Sequence, residues 1–101
     1  MTLKFTFHPE ARNELSQAVD FYETQQRKLG LEFLDEVYST IRRIIEYPIA
    51  FPELSTNTRK CLTNRFPFGV IYQIKEDEAF IVAIAHLARK PGYWKERLSK
   101  L

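Results

Sequence analysis

Ala79-Phe80-Ile81-Val82-Ala83-Ile84-Ala85-His86-Leu87 is the stretch that decides the fold. It is almost wholly apolar and rich in β-branched side chains. A run of this length is too short for a buried helix and reads as a strand shielded on both faces. It also falls far short of the roughly 20 apolar residues that a membrane-spanning helix needs. A strand covered on two faces requires neighbours beside it and a layer above it, and the rest of the chain must supply both.

On its N-terminal side, Lys75-Glu76-Asp77-Glu78 is a polar hairpin turn leading back to a second strand, Phe66 to Ile74. Phe66, Phe68, Val70, Tyr72 and Ile74 alternate there on one face. Arg59 to Thr63 is a shorter, weaker strand. On the C-terminal side, Arg89-Lys90-Pro91-Gly92 breaks the chain, and Tyr93 to Leu101 forms a short terminal helix. Phe80, Val82, Ile84 and His86 fall in one phase of the deciding strand.

The covering layer comes from the first half. Leu3-Lys4-Phe5-Thr6-Phe7 alternates with period two, as a half-buried strand does. His8-Pro9 ends it, and Pro9 suits the first position of a helix, where a missing N–H costs nothing. Glu10 follows in the first turn, where a carboxylate favours the helix dipole. Apolar residues then recur at 11, 15, 18, 19, 22 and 29, leaving Glu14, Gln17, Glu23 and Arg27 outward, with Gly30 as the stop. A second helical stripe runs through Phe33, Leu34, Val37, Tyr38, Ile41, Ile44 and Ile45 and ends before Pro48. The short connection folds the two helices into an antiparallel hairpin. Residues 47–58, with two prolines and a polar end, read as a loop. The expected architecture is α+β: an N-terminal strand, a helical hairpin packed on a mostly antiparallel four-stranded sheet, and a short C-terminal helix. Residues 1–101 make one domain.

Composition narrows the function. Hydrophobic residues make up 45% and charged residues 28% of the 101, as in a folded globular protein. The lone Cys61 builds neither an internal disulfide nor a multi-cysteine metal site, and reads as a small packing residue. Met1-Thr2-Leu3-Lys4 lacks the apolar stretch of a signal peptide, so a cytoplasmic site of action is expected. Net charge is only +2, but it is unevenly placed. Residues 1–58 carry six Lys/Arg against nine Asp/Glu, and residues 59–101 carry nine against four. The second half is therefore expected to present a basic surface suited to nucleic acid or an acidic protein.

No phosphate-binding glycine loop, dinucleotide fingerprint, nucleophile elbow or paired-histidine metal motif is present, so no cofactor and no metal are expected. The candidates are the polar residues at strand ends: Arg59, Lys60, Arg65, His86, Arg89, Lys90 and Tyr93. Hairpin connections bring such ends together, and converging cations bind phosphates or stabilise developing charge. The same cations also serve as ordinary protection of strand edges. His86 is either a proton-transfer group or a structural histidine that closes the core. Tyr93-Trp94 is either a partner anchor or a pin holding the terminal helix, the latter suiting the large apolar area of Trp94.

A strand ending in His8-Pro9-Glu10-Ala11, the helical hairpin, Pro48-x-x-Phe51-Pro52, Arg65-Phe66-Pro67-Phe68-Gly69-Val70-Ile71-Tyr72 and His86-x-x-Arg89-x-Pro91-x-Tyr93-Trp94 together resemble the RelE/ParE toxin family. The resemblance covers essentially the whole chain and rests on the joint order of motifs. It implies the toxic half of a bacterial type II toxin–antitoxin pair, neutralised by direct binding of its antitoxin. In the RNA-cutting branch, the strand matching Phe68–Tyr72 commonly reads Tyr-Arg-x-x-Tyr, with the arginine beside the scissile phosphate. Gly69 stands at the matching position here. The Pro-Phe-Gly-x-x-Tyr strand and the His-x-x-Arg-x-Pro-x-Tyr-Trp ending look more like ParE-type and plasmid-stabilisation proteins, which poison DNA gyrase.

The resemblance thus implies growth arrest through gyrase, with Arg59, Lys60, Arg65, Arg89, Lys90, Tyr93 and Trp94 as the target-binding set. Its alternative is a ribosome-dependent mRNA endoribonuclease using Arg65, His86, Arg89 and Tyr93 without a metal. A second alternative is a non-toxic binding module that keeps the fold.

Overall fold

In the computed structural model, which describes residues 3–98, the chain runs β1 (Lys4–Phe7), α1 (Pro9–Gln25), α2 (Leu29–Glu46), β2 (Glu53–Ser55), β3 (Thr58–Leu62), β4 (Phe68–Lys75) and β5 (Glu78–His86). A single 3-10 turn, Lys95–Arg97, follows. The strands form one sheet in the order β1-β5-β4-β3-β2. From β2 to β5 each strand pairs antiparallel with the next, whereas β1 lies parallel to β5. The α+β architecture of a helical hairpin on a mostly antiparallel sheet is the expected one.

Three details differ. The sheet has five strands rather than four, because Glu53–Ser55 turns back at Asn57 (φ 52°) and pairs with β3. Three residues after a proline carry too little alternation to announce a strand. The terminal helix expected over 93–101 is a 3-10 turn where it is described, and residues 99–101 lie outside the described residues. Gly30, expected to stop the first helix, lies inside the first turn of α2. Lys28 makes the reversal instead, at φ 72°. A Cβ on Gly30 would meet the Val19 carbonyl oxygen at 2.5 Å, so glycine is what lets the helices approach. The Glu23 carboxylate accepts from the backbone N–H groups of Lys28 (2.9 Å) and Gly30 (3.1 Å), satisfying donors that a helix start leaves free.

The start of α1 follows the sequence closely. Pro9 occupies its first turn, and the His8 imidazole caps it, Nδ1 accepting from the Glu10 N–H at 3.0 Å.

The core has two layers. Between helices and sheet lie Ala11, Leu15 and Ala18 of α1, Phe33, Val37, Ile41 and Ile44 of α2, and Cys61, Phe68, Val70, Tyr72, Ala79, Ile81 and Ile84 of the strands. On the opposite face Ile71, Val82, Ala83 and Ala85 pack beneath Trp94. The Ala79–Ala85 stretch is therefore covered on both sides, as its composition required. A bulge interrupts it: Tyr72 pairs with Ile81 but Ile71 pairs with Ala83, leaving Val82 extra. Ala79 and Ile81 face the helices before the bulge, and Ile84 does so after it. The expected common phase of Phe80, Val82, Ile84 and His86 breaks there. His86 shares the helix side with Ile84 and lies edge-on to Phe68, centroids 5.0 Å apart.

Candidate functional site

The polar residues gather where β5 ends. Leu87 N–H bonds the Pro67 carbonyl (2.9 Å), and Arg89 N–H bonds the His86 carbonyl (3.0 Å), closing a tight turn. The exposed His86 ring is bound into that turn, its Nδ1 accepting from the Ala88 N–H at 3.0 Å. The chain then reverses through Gly92 (φ 80°) and lays Trp94, only 4% exposed, against the outer sheet face. Trp94 is thus a pin for the terminal segment rather than an exposed contact.

Between this segment and the sheet is a groove of about 270 Å³, with Lys60, Arg89, Lys90 and Lys95 on its walls beside His86 and Tyr93. None of its lining residues is acidic. No ion pair forms to Lys60, Lys90 or Lys95 among the described residues. Two glycines make room for two of these lysines. A Cβ at Gly69 would stand 2.9 Å from Lys60 Cδ, and one at Gly92 would stand 3.0 Å from Lys95 Cε. Gly69 thus leaves the strand bare where the stem of Lys60 crosses it from β3, and the neighbouring strand supplies a cation.

Two members of the expected cluster lie elsewhere. Arg59 points to the helix side of β3 and donates to the Phe51 carbonyl at 2.8 Å. Arg65 pairs with Glu32 of α2 at 2.7 Å and lies over the Phe66 ring. The convergence expected of Arg59, Lys60, Arg65, Arg89 and Lys90 is therefore corrected to Lys60, Arg89 and Lys90, joined by Lys95. Cys61 is buried in the core, where desolvation pushes its thiol above the ordinary range.

A second polar centre lies on the other side of Arg89. Glu14, expected to face outward from α1, is instead nearly enclosed. Its carboxylate accepts from Tyr93 Oη (2.8 Å), from Arg97 Nη1 and Nη2 (3.0 and 2.8 Å) and from the Ile84 N–H (3.0 Å). Arg89 approaches the same carboxylate at 3.9 Å and stacks on the Tyr93 ring, 3.8 Å from its centroid. Burial, then the bond to Glu14, raise the Tyr93 phenol well above its ordinary range. Among the described residues no group of three His, Cys, Asp or Glu side chains is placed to hold a metal ion.

Set against known families, residues 5–91 match the ParE toxin of the type II toxin–antitoxin system parDE. The chain belongs to the ParE toxin family. A solved structure described as the chromosomal ParDE system from P. aeruginosa contains a chain with the same fold. The two share 16% identity at a TM-score of 0.74, over 85% of this chain and 97% of that one. Among proteins of curated function, none matches the sequence. The ParE family match takes in Glu14, Lys60, Gly69 and Arg89 and stops at Pro91, just before the Tyr93–Arg97 segment that Glu14 holds. As a ParE-family protein it is a component of a type II toxin–antitoxin system, in which toxin and antitoxin pair. No helix among the described residues is long and apolar enough to cross a membrane.

Proposed function

We propose that this ParE-family protein acts in the cytoplasm as a growth-arresting inhibitor of DNA gyrase and that its cognate antitoxin neutralises it by direct binding. The target is held by the groove cations Lys60, Arg89, Lys90 and Lys95 and by the Tyr93 ring, with Trp94 holding the segment in place beneath them. One observation carries this reading: the groups that an RNA-cutting site would use as acid, base and stabiliser are already engaged or dispersed. The Tyr93 hydroxyl donates to Glu14, and the His86 Nδ1 serves its own turn. Arg65 is paired with Glu32 and lies outside the groove. A surface that works by contact needs shape, cations and aromatic area, all of which are present.

The second reading, a ribosome-dependent mRNA endoribonuclease, is favoured by the groove itself, since four cations beside an imidazole suit a phosphodiester. The deciding experiment treats purified gyrase and, separately, programmed ribosomes with one toxin preparation. Inhibited supercoiling with intact mRNA is the expected result. Normal supercoiling with codon-positioned mRNA cuts overturns the gyrase reading.

A further inference from the structure

The unused polar centre is Glu14, a residue of α1 with 12% of its side chain exposed. Its position makes sense at the edge of β5. The short β1 pairs only as far as Phe7 with Ile81, and the His8 N–H takes the Ile81 carbonyl at 2.9 Å. Past that point the edge of β5 has no strand beside it. The Ile84 N–H donates to Glu14 Oε1 at 3.0 Å, and the Val82 carbonyl accepts from Arg97 Nη1 at 3.0 Å. A carboxylate and a guanidinium, bonded to each other through Nη1 and Nη2, thus stand where a longer first strand would have run. Buried backbone groups demand such partners, and charged partners make the stronger bonds. The same carboxylate takes the Tyr93 hydroxyl. Trp94 therefore sits between two residues that are both fastened to α1.

We propose that Glu14 is a positioning residue: it locks the terminal segment to the free edge of β5 and so fixes the shape in which Arg89, Lys90 and the Tyr93 ring meet the target. The inference rests on the reading of that face as the target contact. Glu14 touches the target nowhere; it acts through Tyr93 and Arg97.

The test uses the full chain carrying Glu14→Gln, which puts an NH2 group where donors already point. The expected variant melts cooperatively and keeps its α2 amides protected. Its amides over 93–98 exchange at least about ten-fold faster, and half-inhibition of gyrase supercoiling needs roughly ten-fold more protein. Glu14→Asp, with the charge on a shorter stem, recovers part of both. Unchanged exchange over 93–98 overturns the proposal, and so does faster exchange with unchanged inhibition. If Glu14→Gln does not fold, Arg97→Lys, which keeps the charge and loses the fork, takes its place. The same two measurements then support or overturn the proposal in the same way. If the unmodified protein leaves gyrase untouched, the gyrase reading fails on its own. Local exchange and growth arrest on expression then decide the role of Glu14.

Discussion

Lys60 crosses β4 over Gly69, with its Cδ 2.9 Å from where a Cβ on that glycine would stand. The glycine that removes a side chain from β4 thereby admits one from β3. Gly69→Ala is expected to leave the fold intact, since the obstructing atom belongs to a flexible stem, while displacing the Lys60 ammonium. Gly69→Ala and Lys60→Ala should then weaken target binding to similar extents. The double variant should be no worse than either single one, and a double-mutant cycle on binding affinity measures that coupling. Fully additive losses would show that the two positions act separately.

Ile81 and Val82 are both inaccessible to solvent, Ile81 against the helices and Val82 against the opposite layer. Ile81→Asp and Val82→Asp should each unfold the protein. An unpaired buried carboxylate costs several kcal/mol, on the order of the whole stability of a small domain. Circular dichroism melts check this; two folded variants with near-normal melting temperatures would contradict the two-layer core.

Alkaline pH should destabilise the protein earlier than solvent-exposed tyrosines would allow. Burial pushes the Tyr72 phenol up to about 12, its hydroxyl donating to the Pro48 carbonyl at 2.8 Å. Tyr93 is raised as well, by burial and by Glu14. Both ionise near pH 10 in the unfolded chain and later in the folded one. The unfolded state therefore loses its protons first, and stability falls as pH rises above 10. Each tyrosine contributes a slope of about 1.4 kcal/mol per pH unit. Urea titrations from pH 9 to 11.5 should show it, and Tyr72→Phe should flatten part of the decline.

Substitutions in the groove should act by degrees. Arg89→Ala and Lys90→Ala are each expected to weaken gyrase inhibition several-fold without abolishing it, and His86→Ala to leave it within about two-fold. Trp94→Ala should act through the fold, costing about 3–5 kcal/mol in stability, because its indole fills the outer layer. Dose–response curves for supercoiling, run beside melts, separate the two classes. Complete loss in folded His86→Ala would instead indicate proton transfer.

Phe21 and Leu31 stand exposed on the helical hairpin, at 57% and 60%. The antitoxin is expected to cover the hairpin together with an open sheet edge, where unpaired backbone groups invite an added strand. Hydrogen exchange with and without the antitoxin should show protection over 11–45 and along β1 or β2. Protection confined to residues 75–79 would reject this site.

Much of the fold was legible because the long elements carry strong periodicity: α2 and β5 have nearly uninterrupted apolar faces, and Pro9 marks a helix start. The features that escaped depend on distant partners or on very short segments. The Val82 bulge is silent in a strand with apolar residues on both faces, since no alternation exists to be broken. Glu14 was expected to face outward, because a carboxylate beside an apolar stripe is read as solvated although it lies three residues after Ala11 and four before Ala18. Its need for burial, however, comes from Arg97 and from backbone atoms of β5, far along the chain. The groove was half legible: Lys60, Arg89 and Lys90 converge, while Arg59 and Arg65 were drawn off by Phe51 and Glu32.

The parallel pairing of β1 with β5 joins Lys4 to Glu78 and Phe7 to Ile81, the first strand to the last. During synthesis, β1 and both helices leave the ribosome long before the strand that completes their sheet. Until residues 78–86 emerge, the helical hairpin has only β3 and β4 as its floor, and β1 has no neighbour to pair with. Local helix formation can run ahead, but the decisive closure spans nearly the full chain and comes late and slowly. A chain cut short before β5 lacks Ala79, Ile81 and Ile84 from the inner layer and Val82, Ala83 and Ala85 from the outer one. Translation must pass Arg97 before the working surface exists at all.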